Sequence, residues 1–249
     1  MPTLDLVTES ASEAAPADNA LAGWRSKTRA LPWATLLLSA AAILFQLFPA
    51  VGDRMAFDSA AIAGGHWWRL LSGHLTHCDA EHLTWDVLMF GLLGGLIERR
   101  SRRWLLATVG ASAAAISFAL WFGHPGLEQY RGLSGIDSAL FTFALLMLLD
   151  DARRAGQTIA VWLLWAMAAG LALKIGWESA TGTTLFVDSA RAGFVPLPSV
   201  HAVGGIVGIA AWLASRRRKI HGARRAGPAT SSSPLELGPT YGCATTRRS

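Results

Sequence analysis

The stretch WLLATVGASAAAISFALWFGHPGL, residues 104–127, contains no charged side chain. About 20 consecutive apolar residues cross the hydrocarbon core of a bilayer as a helix, so this stretch predicts a transmembrane helix. The whole chain agrees, because 52% of its 249 residues are hydrophobic and only 16% are charged. Soluble domains carry about 25% charged residues. The composition therefore excludes an ordinary soluble domain and predicts a protein that crosses the membrane several times.

Comparable apolar runs lie on both sides of this stretch. They cover residues 33–52, 83–97, 132–149, 155–173 and 192–215. The run at 83–97 is short for a lipid-exposed span and contains Asp86, so we expect its helix to begin below the membrane surface, inside the bundle. The sequence thus predicts an all-α membrane protein with a bundle of six transmembrane helices.

The positions of the basic residues predict the orientation. Most of them lie on the side of the membrane that the N-terminus would share: Arg25, Lys27, Arg29, Arg99, Arg100, Arg102, Arg103, Arg153, Arg154, Arg216, Arg217, Arg218 and Lys219. Because short cytoplasmic loops are enriched in Lys and Arg, both termini are expected in the cytoplasm. Two longer loops, residues 53–81 and 175–191, then lie outside. This distribution accounts for the net charge of +5 without nucleic acid as a partner.

Three regions follow from this interpretation. Residues 1–30 are expected to form a cytoplasmic tail, since they lack the basic start and apolar core of a signal peptide. Residues 31–215 form the six-span domain. Residues 216–249 are rich in Gly, Pro, Ser, Thr and Arg, and a basic, disordered cytoplasmic tail is expected there. The two cysteines, Cys78 and Cys243, indicate no disulfide framework.

Polar side chains stand at the outer ends of three predicted spans. The second span begins at His82, with Asp86 one turn deeper on the same face. The fourth begins with Gly-Leu-Ser-Gly, in which the serine is Ser134, and the sixth begins at His201. Polar groups are costly inside a membrane, so these residues are functional candidates. A serine beside a histidine suggests nucleophilic catalysis, in which the imidazole takes the hydroxyl proton.

The small and polar faces of two spans would bring Ser134 and His201 together. One face of the fourth span is polar and carries Ser134, Asp137, Ser138 and Phe141. Gly204 and Gly208 form a small-residue face that lets the sixth span pack tightly on a neighbour. Packing of these faces would place His201 beside Ser134. The backbone N–H of Ser134, at a helix N-terminus, and His82 are then candidate donors to an oxyanion.

This combination resembles the rhomboid family of intramembrane serine proteases. Four segments carry the resemblance: Trp68-Arg69 with His77 and His82–Asp86; Gly94-Gly95 with Glu98; Gly132–Gly135; and His201 with Gly204 and Gly208. They cover roughly residues 66–214 in the right order. The compact six-span core is most similar to the rhombosortase subgroup, bacterial proteases that process proteins with a C-terminal Gly-Gly sorting segment, a membrane helix and a basic tail.

The resemblance implies a role for each matched residue. Ser134 would be the nucleophile and His201 its general base, a dyad without the acidic third member of a triad. His82 and the Ser134 N–H would form the oxyanion hole, and Gly132 would line the same pocket. The remaining matched residues would be structural: Arg69, Glu98, Gly204 and Gly208. A pair between the first two of these would hold the loop before the second span.

Two positions depart from the family pattern. Asp86 stands where the family usually has an Asn that donates to the oxyanion, and an ionised carboxylate there would repel negative charge. We therefore expect Asp86 to be protonated, or turned away to hydrogen-bond another helix. Ser138 stands where many relatives place an aromatic ring against the base. Asp137 beside it could orient His201 or bond a neighbouring helix.

The expected partners are a membrane-anchored protein substrate with a transmembrane helix and the lipid bilayer, in the inner membrane of a bacterium. No cofactor is expected. No metal is expected either, because the spacing of His66, His74, His77 and His82 matches no compact ligand set. Three alternatives stay open: a general rhomboid protease with other substrates, an inactive rhomboid-like binder of membrane clients, and a transporter with a proton path through Asp86 and Asp137.

Overall fold

A computed structural model describes residues 31–125, 127–183 and 197–225, with side chains as far as Arg217. Its helices are α1 (Trp33–Leu47), α2 (Pro49–Met55), α3 (Ser59–Ala63), α4 (Arg69–Ser72), α5 (Ala80–Gly123), α6 (Ser134–Arg154), α7 (Thr158–Thr181) and α8 (Pro198–Arg225). A 3-10 turn at Gly73–Leu75 follows α4, and two short strands, β1 (Phe57–Asp58) and β2 (Gln129–Tyr130), form an antiparallel pair. The predicted all-α architecture is confirmed for these residues.

Three of the described helices are long and apolar enough to cross a membrane: Ala80–Gly123, Thr158–Thr181 and Pro198–Arg217. Helices α1 and α2, which are bent by 115° relative to each other, could together form a fourth, broken span. Helix α6 packs between α5, α7 and α8 and buries polar side chains, so lipid need not be its neighbour. A membrane-embedded helical bundle is supported, and six spans stay a prediction.

The helix boundaries differ from the apolar runs for identifiable reasons. Helix α1 ends at Leu47 rather than continuing to residue 52, because Pro49 lacks an amide hydrogen and starts the separate helix α2. The predicted second and third spans form one helical segment, α5, which is interrupted at Ser101 with φ −165° and ψ 101°. That residue lies among four arginines, where the sequence also separates the two runs.

Helices extend into two segments that the sequence predicts as a loop and a tail. Residues 175–181 are helical, because Lys174 and Glu178 neutralise each other one turn apart and allow α7 to continue. Residues 216–225 are helical as well and continue helix α8. Residues 184–191 and 226–249, like the predicted tail at residues 1–30, lie outside the described residues.

The loop before α5 is folded onto the residues that precede α6. Strand β1 pairs with β2 so that Phe57 lies opposite Tyr130. Arg69 holds the beginning of this loop, because its Nη1 donates to the carbonyl oxygens of Asp53 and Ala56 at 3.1 and 2.8 Å. These contacts fix the loop against the chain that leads into Ser134.

Glu98 lies at the far end of the first part of α5, just before the break at Ser101, and caps helix α1. Its carboxylate accepts the backbone N–H groups of Ala34 and Thr35 at 3.0 and 2.8 Å, and the Thr35 hydroxyl at 2.8 Å. Arg102 Nε donates to it as well, at 2.8 Å. The predicted pair between Arg69 and Glu98 is therefore wrong, since each residue holds a different element of the fold.

Candidate active site

The close packing of α6 on α8 places the two predicted catalytic residues on facing helices. A Cβ atom on Gly204 would lie 2.0 Å from the carbonyl oxygen of Gly135, and one on Gly208 would lie 2.4 Å from that of Ala139. Backbones can approach this closely only where a side chain is absent. The small-residue face predicted from the sequence is the contact between these helices.

Ser134 is the first residue of α6, where backbone N–H groups lack partners within the helix. The turn before it depends on Gly132, whose φ of +129° is a conformation that side chains disfavour. Added bulk at Gly132 would also meet a neighbour, because a Cβ atom there would lie 2.8 Å from Nε2 of His82. Ser134 is half-buried between the buried residues Leu133 and Gly135, so its hydroxyl lies at the edge of the packed core.

His201 lies in the first turn of α8 and contacts α6 through Ser138. Its Nδ1 is 3.2 Å from the Ser138 hydroxyl, and that hydroxyl donates its hydrogen to the Ser134 carbonyl oxygen at 3.0 Å. A hydroxyl has one hydrogen, so this network assigns the imidazole proton to Nδ1. Nε2 then carries the lone pair, which is the state that a general base requires.

Asp86 lies in a cluster of hydrogen-bond donors beside Ser134. Its Oδ2 accepts the backbone N–H of Leu133 at 2.8 Å and faces Nε2 of His77 at 3.2 Å and Nε2 of His82 at 3.3 Å. The contact with Leu133 uses Oδ2 as an acceptor, so a donor role for the Asp86 carboxyl would fall to Oδ1. The carboxyl thus joins α5 to the chain immediately before α6 while it still faces His82.

Two residues of the surrounding loops support the turn that carries Ser134. Tyr130 donates its hydroxyl to the Gly132 carbonyl oxygen at 3.2 Å, and burial raises the pKa of Tyr130 well above its ordinary value, which keeps it a donor. His74 packs edge-on against the Tyr130 ring, and its Nε2 lies 3.1 Å from both the Ala113 carbonyl and the Ser117 hydroxyl. Burial lowers the pKa of His74 to about 4, so this imidazole is neutral near pH 7.

One charged residue at the site was missed by the sequence reasoning. Glu178, on α7, is buried, and its Oε2 lies 3.5 Å from Nε2 of His201. The available signal was the spacing of Lys174 and Glu178, which matches an ion pair on one helix face. The apolar run alone places Glu178 in the predicted loop at residues 175–191 instead. Asp137, the acidic candidate from the sequence, has no hydrogen-bond partner for either carboxylate oxygen within the described part of the chain.

The arrangement can support acyl transfer. It combines a half-exposed serine at a helix N-terminus with an imidazole on the facing helix, and it places a second imidazole, His82, against Gly132. Such helix N-termini stabilise developing negative charge through their free N–H groups. Among the described residues, no group of three or more His, Cys, Asp or Glu side chains is arranged to hold a metal ion.

Comparisons with known proteins cover the part of the chain that contains these residues. The model of the rhomboid domain matches residues 64–218, a range that includes Ser134 and His201. The chain is 28% identical over 125 residues to rhomboid protease GlpG of Enterobacter sp. (strain 638), which is 48% of this chain and 45% of that protein. It is also 28% identical over 122 residues to rhomboid protease GluP of Bacillus subtilis (strain 168), which is 48% of this chain and 24% of that protein.

The chain thus spans less than half the length of either of these relatives. The domain match is broader, because residues 64–218 make up more than half of the 249 residues. On that match, this protein is a member of the rhomboid family.

Proposed function

We propose that this rhomboid-family protein is an intramembrane serine endopeptidase in which Ser134 is the nucleophile and His201 the general base. The observation that carries the proposal is the hydrogen-bond path from His201 Nδ1 through Ser138 to the Ser134 carbonyl oxygen. It orients the imidazole across from the start of α6 and leaves Nε2 as the basic nitrogen. Both matched relatives are named rhomboid proteases.

The reaction follows from these positions. The Ser134 Oγ attacks the scissile carbonyl carbon while His201 accepts its proton, and the resulting oxyanion is met by the free N–H groups at the start of α6 and by His82. The C–N bond then breaks as the imidazolium gives its proton to the leaving amine. A water molecule, deprotonated by His201, attacks the acyl ester and releases the carboxylate product together with a regenerated Ser134.

The proposal also includes the topology and the class of substrate. Six spans with both termini in the cytoplasm would place Ser134 and His201 near the outer face of a bacterial inner membrane. The substrate would be a membrane-anchored protein whose helix unwinds at the cleavage site, since a helical backbone hides its carbonyl groups. We favour rhombosortase-type processing next to a Gly-Gly pair, because glycines help a helix to unwind. A less specific version of the proposal is that the protein cleaves other membrane proteins, as rhomboid proteases in general do.

One observation favours a second candidate, an inactive rhomboid-like binder of membrane clients. Nε2 of His82 faces the carboxylate oxygen of Asp86 at 3.3 Å. An oxyanion stabilised by His82 would therefore form close to another negative group, which opposes catalysis. In this candidate the bundle would hold a client helix without cleaving it.

Labelling with a serine-reactive fluorophosphonate tests the proposal without knowledge of the substrate. The detergent-purified wild type should be labelled, while Ser134→Ala and His201→Ala should lose at least about 99% of the labelling rate. Equal melting temperatures of the three proteins would control for folding. If a folded wild type is not labelled, the protease proposal is wrong and the inactive binder takes its place.

A further inference from the structure

Glu178 is the one buried residue of α7 among the side chains that the structure describes. It is 1% exposed, whereas most of the apolar residues of this helix are exposed, as expected for a surface against lipid. A buried carboxylate is costly unless charged or hydrogen-bonding partners compensate it. The position of Glu178 therefore depends on what it contacts.

Glu178 contacts a cation on its own helix and the proposed catalytic base on another. Nζ of Lys174 lies 2.7 and 2.8 Å from the two carboxylate oxygens. On α8, Nε2 of His201 lies 3.5 Å from Oε2. The charged groups that act on His201 are Glu178 and Lys174 from α7 and Asp86 from α5, while Ser134 and Ser138 face it from α6.

The two ring nitrogens of His201 thus have partners from different helices. The Nδ1–H group of His201 donates to the Ser138 hydroxyl oxygen, as described above, and the carboxylate of Glu178 faces Nε2. In the neutral imidazole, Nε2 presents a lone pair to this carboxylate, and the contact is unfavourable. In the imidazolium, Nε2 carries a proton and the same contact becomes a charge-assisted attraction. The contact with Glu178 therefore favours the charged ring over the neutral one, while Lys174 acts in the opposite direction.

We propose that Glu178 is a positioning residue for the catalytic reaction: it stabilises the imidazolium form of His201 that arises when the base takes the proton of Ser134, and Lys174 limits the strength of this effect. The inference rests on the proposed protease function. A group that stabilises a charge present only along the reaction path accelerates the chemical step. The site would then contain a serine, a histidine and an acid supplied by α7.

The test is the rate of fluorophosphonate labelling measured across a pH series in wild type, Glu178→Gln and Lys174→Met. The Glu178→Gln variant keeps the size of the side chain and removes its charge. We expect it to label about 10- to 100-fold more slowly, with the acidic limb of the profile moved to lower pH. Lys174→Met leaves the carboxylate without its counter-charge, so its acidic limb should move to higher pH.

If the acidic limb moves in opposite directions in Glu178→Gln and Lys174→Met, a merely structural role of these residues would not explain it. Ser179→Ala changes an exposed neighbour on the same helix and is the control; its profile should match that of the wild type. Unmoved acidic limbs in both charge variants would overturn the inference. If the melting curve shows that Glu178→Gln does not fold, Lys174→Met alone decides. A shift of its acidic limb to higher pH would support the inference, and an unmoved limb would overturn it. Failure of the wild type to label would instead refute the protease function itself.

Discussion

The first part of helix α5, from Ala80 to the break at Ser101, buries one carboxylate near each end, and the two are surrounded in different ways. At the far end, around Glu98 and Arg102, the carboxylate oxygens accept the first N–H groups of α1, a hydroxyl and a guanidinium. At the site end, around His82 and Asp86, a single oxygen faces one N–H and two imidazoles. A carboxylate that caps a helix with fixed donors stabilises the fold, whereas one that shares titratable partners beside a serine can influence chemistry.

The other charges near the far end follow the same pattern as Glu98. Asp150 accepts from the Trp212 indole at 3.2 Å and lies 3.6 Å from Arg216, which joins α6 to α8. Arg100, beside the break in α5, pairs with Asp151. These pairs are partly exposed and each contributes little on its own, about 0 to 1 kcal/mol. The far end therefore holds helices together with charges that need no change of protonation.

The largest expected effect is on stability at the far end. Glu98→Ala would leave the N–H groups of Ala34 and Thr35 without these bonds in a buried position, so we expect the free energy of unfolding to fall by about 3–5 kcal/mol. Thermal melting of the detergent-purified protein would measure the loss. The labelling rate of the molecules that remain folded should change little, because Glu98 does not contact the site.

A matched variant sharpens this result. Glu98→Gln keeps one acceptor oxygen and the length of the side chain, so it should lose only about 1–3 kcal/mol. The comparison would fail if Glu98→Ala melted like the wild type, or if it slowed labelling in molecules that were still folded.

The next effect, at the site end, is a dependence of stability on pH. His74 has a pKa of about 4 when folded, against an ordinary value of 6.5. The unfolded chain therefore binds the proton first, and the stability due to this residue, complete above pH 6.5, is lost as the pH falls towards 4. The loss amounts to about 3 kcal/mol.

Melting curves recorded over this pH interval would measure the effect, with His74→Gln as the control. Glutamine can place an N–H group near the position of Nε2, opposite the Ala113 carbonyl, and does not titrate. The variant should keep a flatter pH profile than the wild type. Parallel profiles would mean that His74 does not account for the pH dependence.

The same contrast explains which features could be read from the sequence. The packing of α6 against α8 could be predicted, because Gly204 and Gly208 leave space that a neighbouring backbone fills. The arrangement around Asp86 could not, since its shortest contact is with the backbone N–H of Leu133, which no residue pattern reveals. A carboxylate at that position therefore suggested a protonated donor, whereas its Oδ2 acts as an acceptor.

Glu178 was missed for a related reason. A lysine after an apolar run normally marks the end of a membrane helix, and Lys174 was interpreted in that way. The carboxylate one turn later neutralises this charge, so the helix continues and carries Glu178 to His201. Long-range contacts of this kind depend on where a helix ends. Local hydropathy predicts that end poorly when two charges on the helix neutralise each other.

The smallest predicted effect, and the one that tests the site end directly, is that of Asp86→Asn. Asparagine can still accept the N–H of Leu133 through its oxygen, so the melting temperature should change little. It removes a negative charge close to the place where the oxyanion would form, and we therefore expect the labelling rate of Ser134 to rise severalfold, an effect of about 1 kcal/mol. A loss of more than tenfold would show that the carboxylate itself is required, through its contacts with His77 and His82. Asp86 would then be a functional acid in its own right rather than a replacement for the family's asparagine, and the two carboxylates of α5 would differ in kind and not only in surroundings.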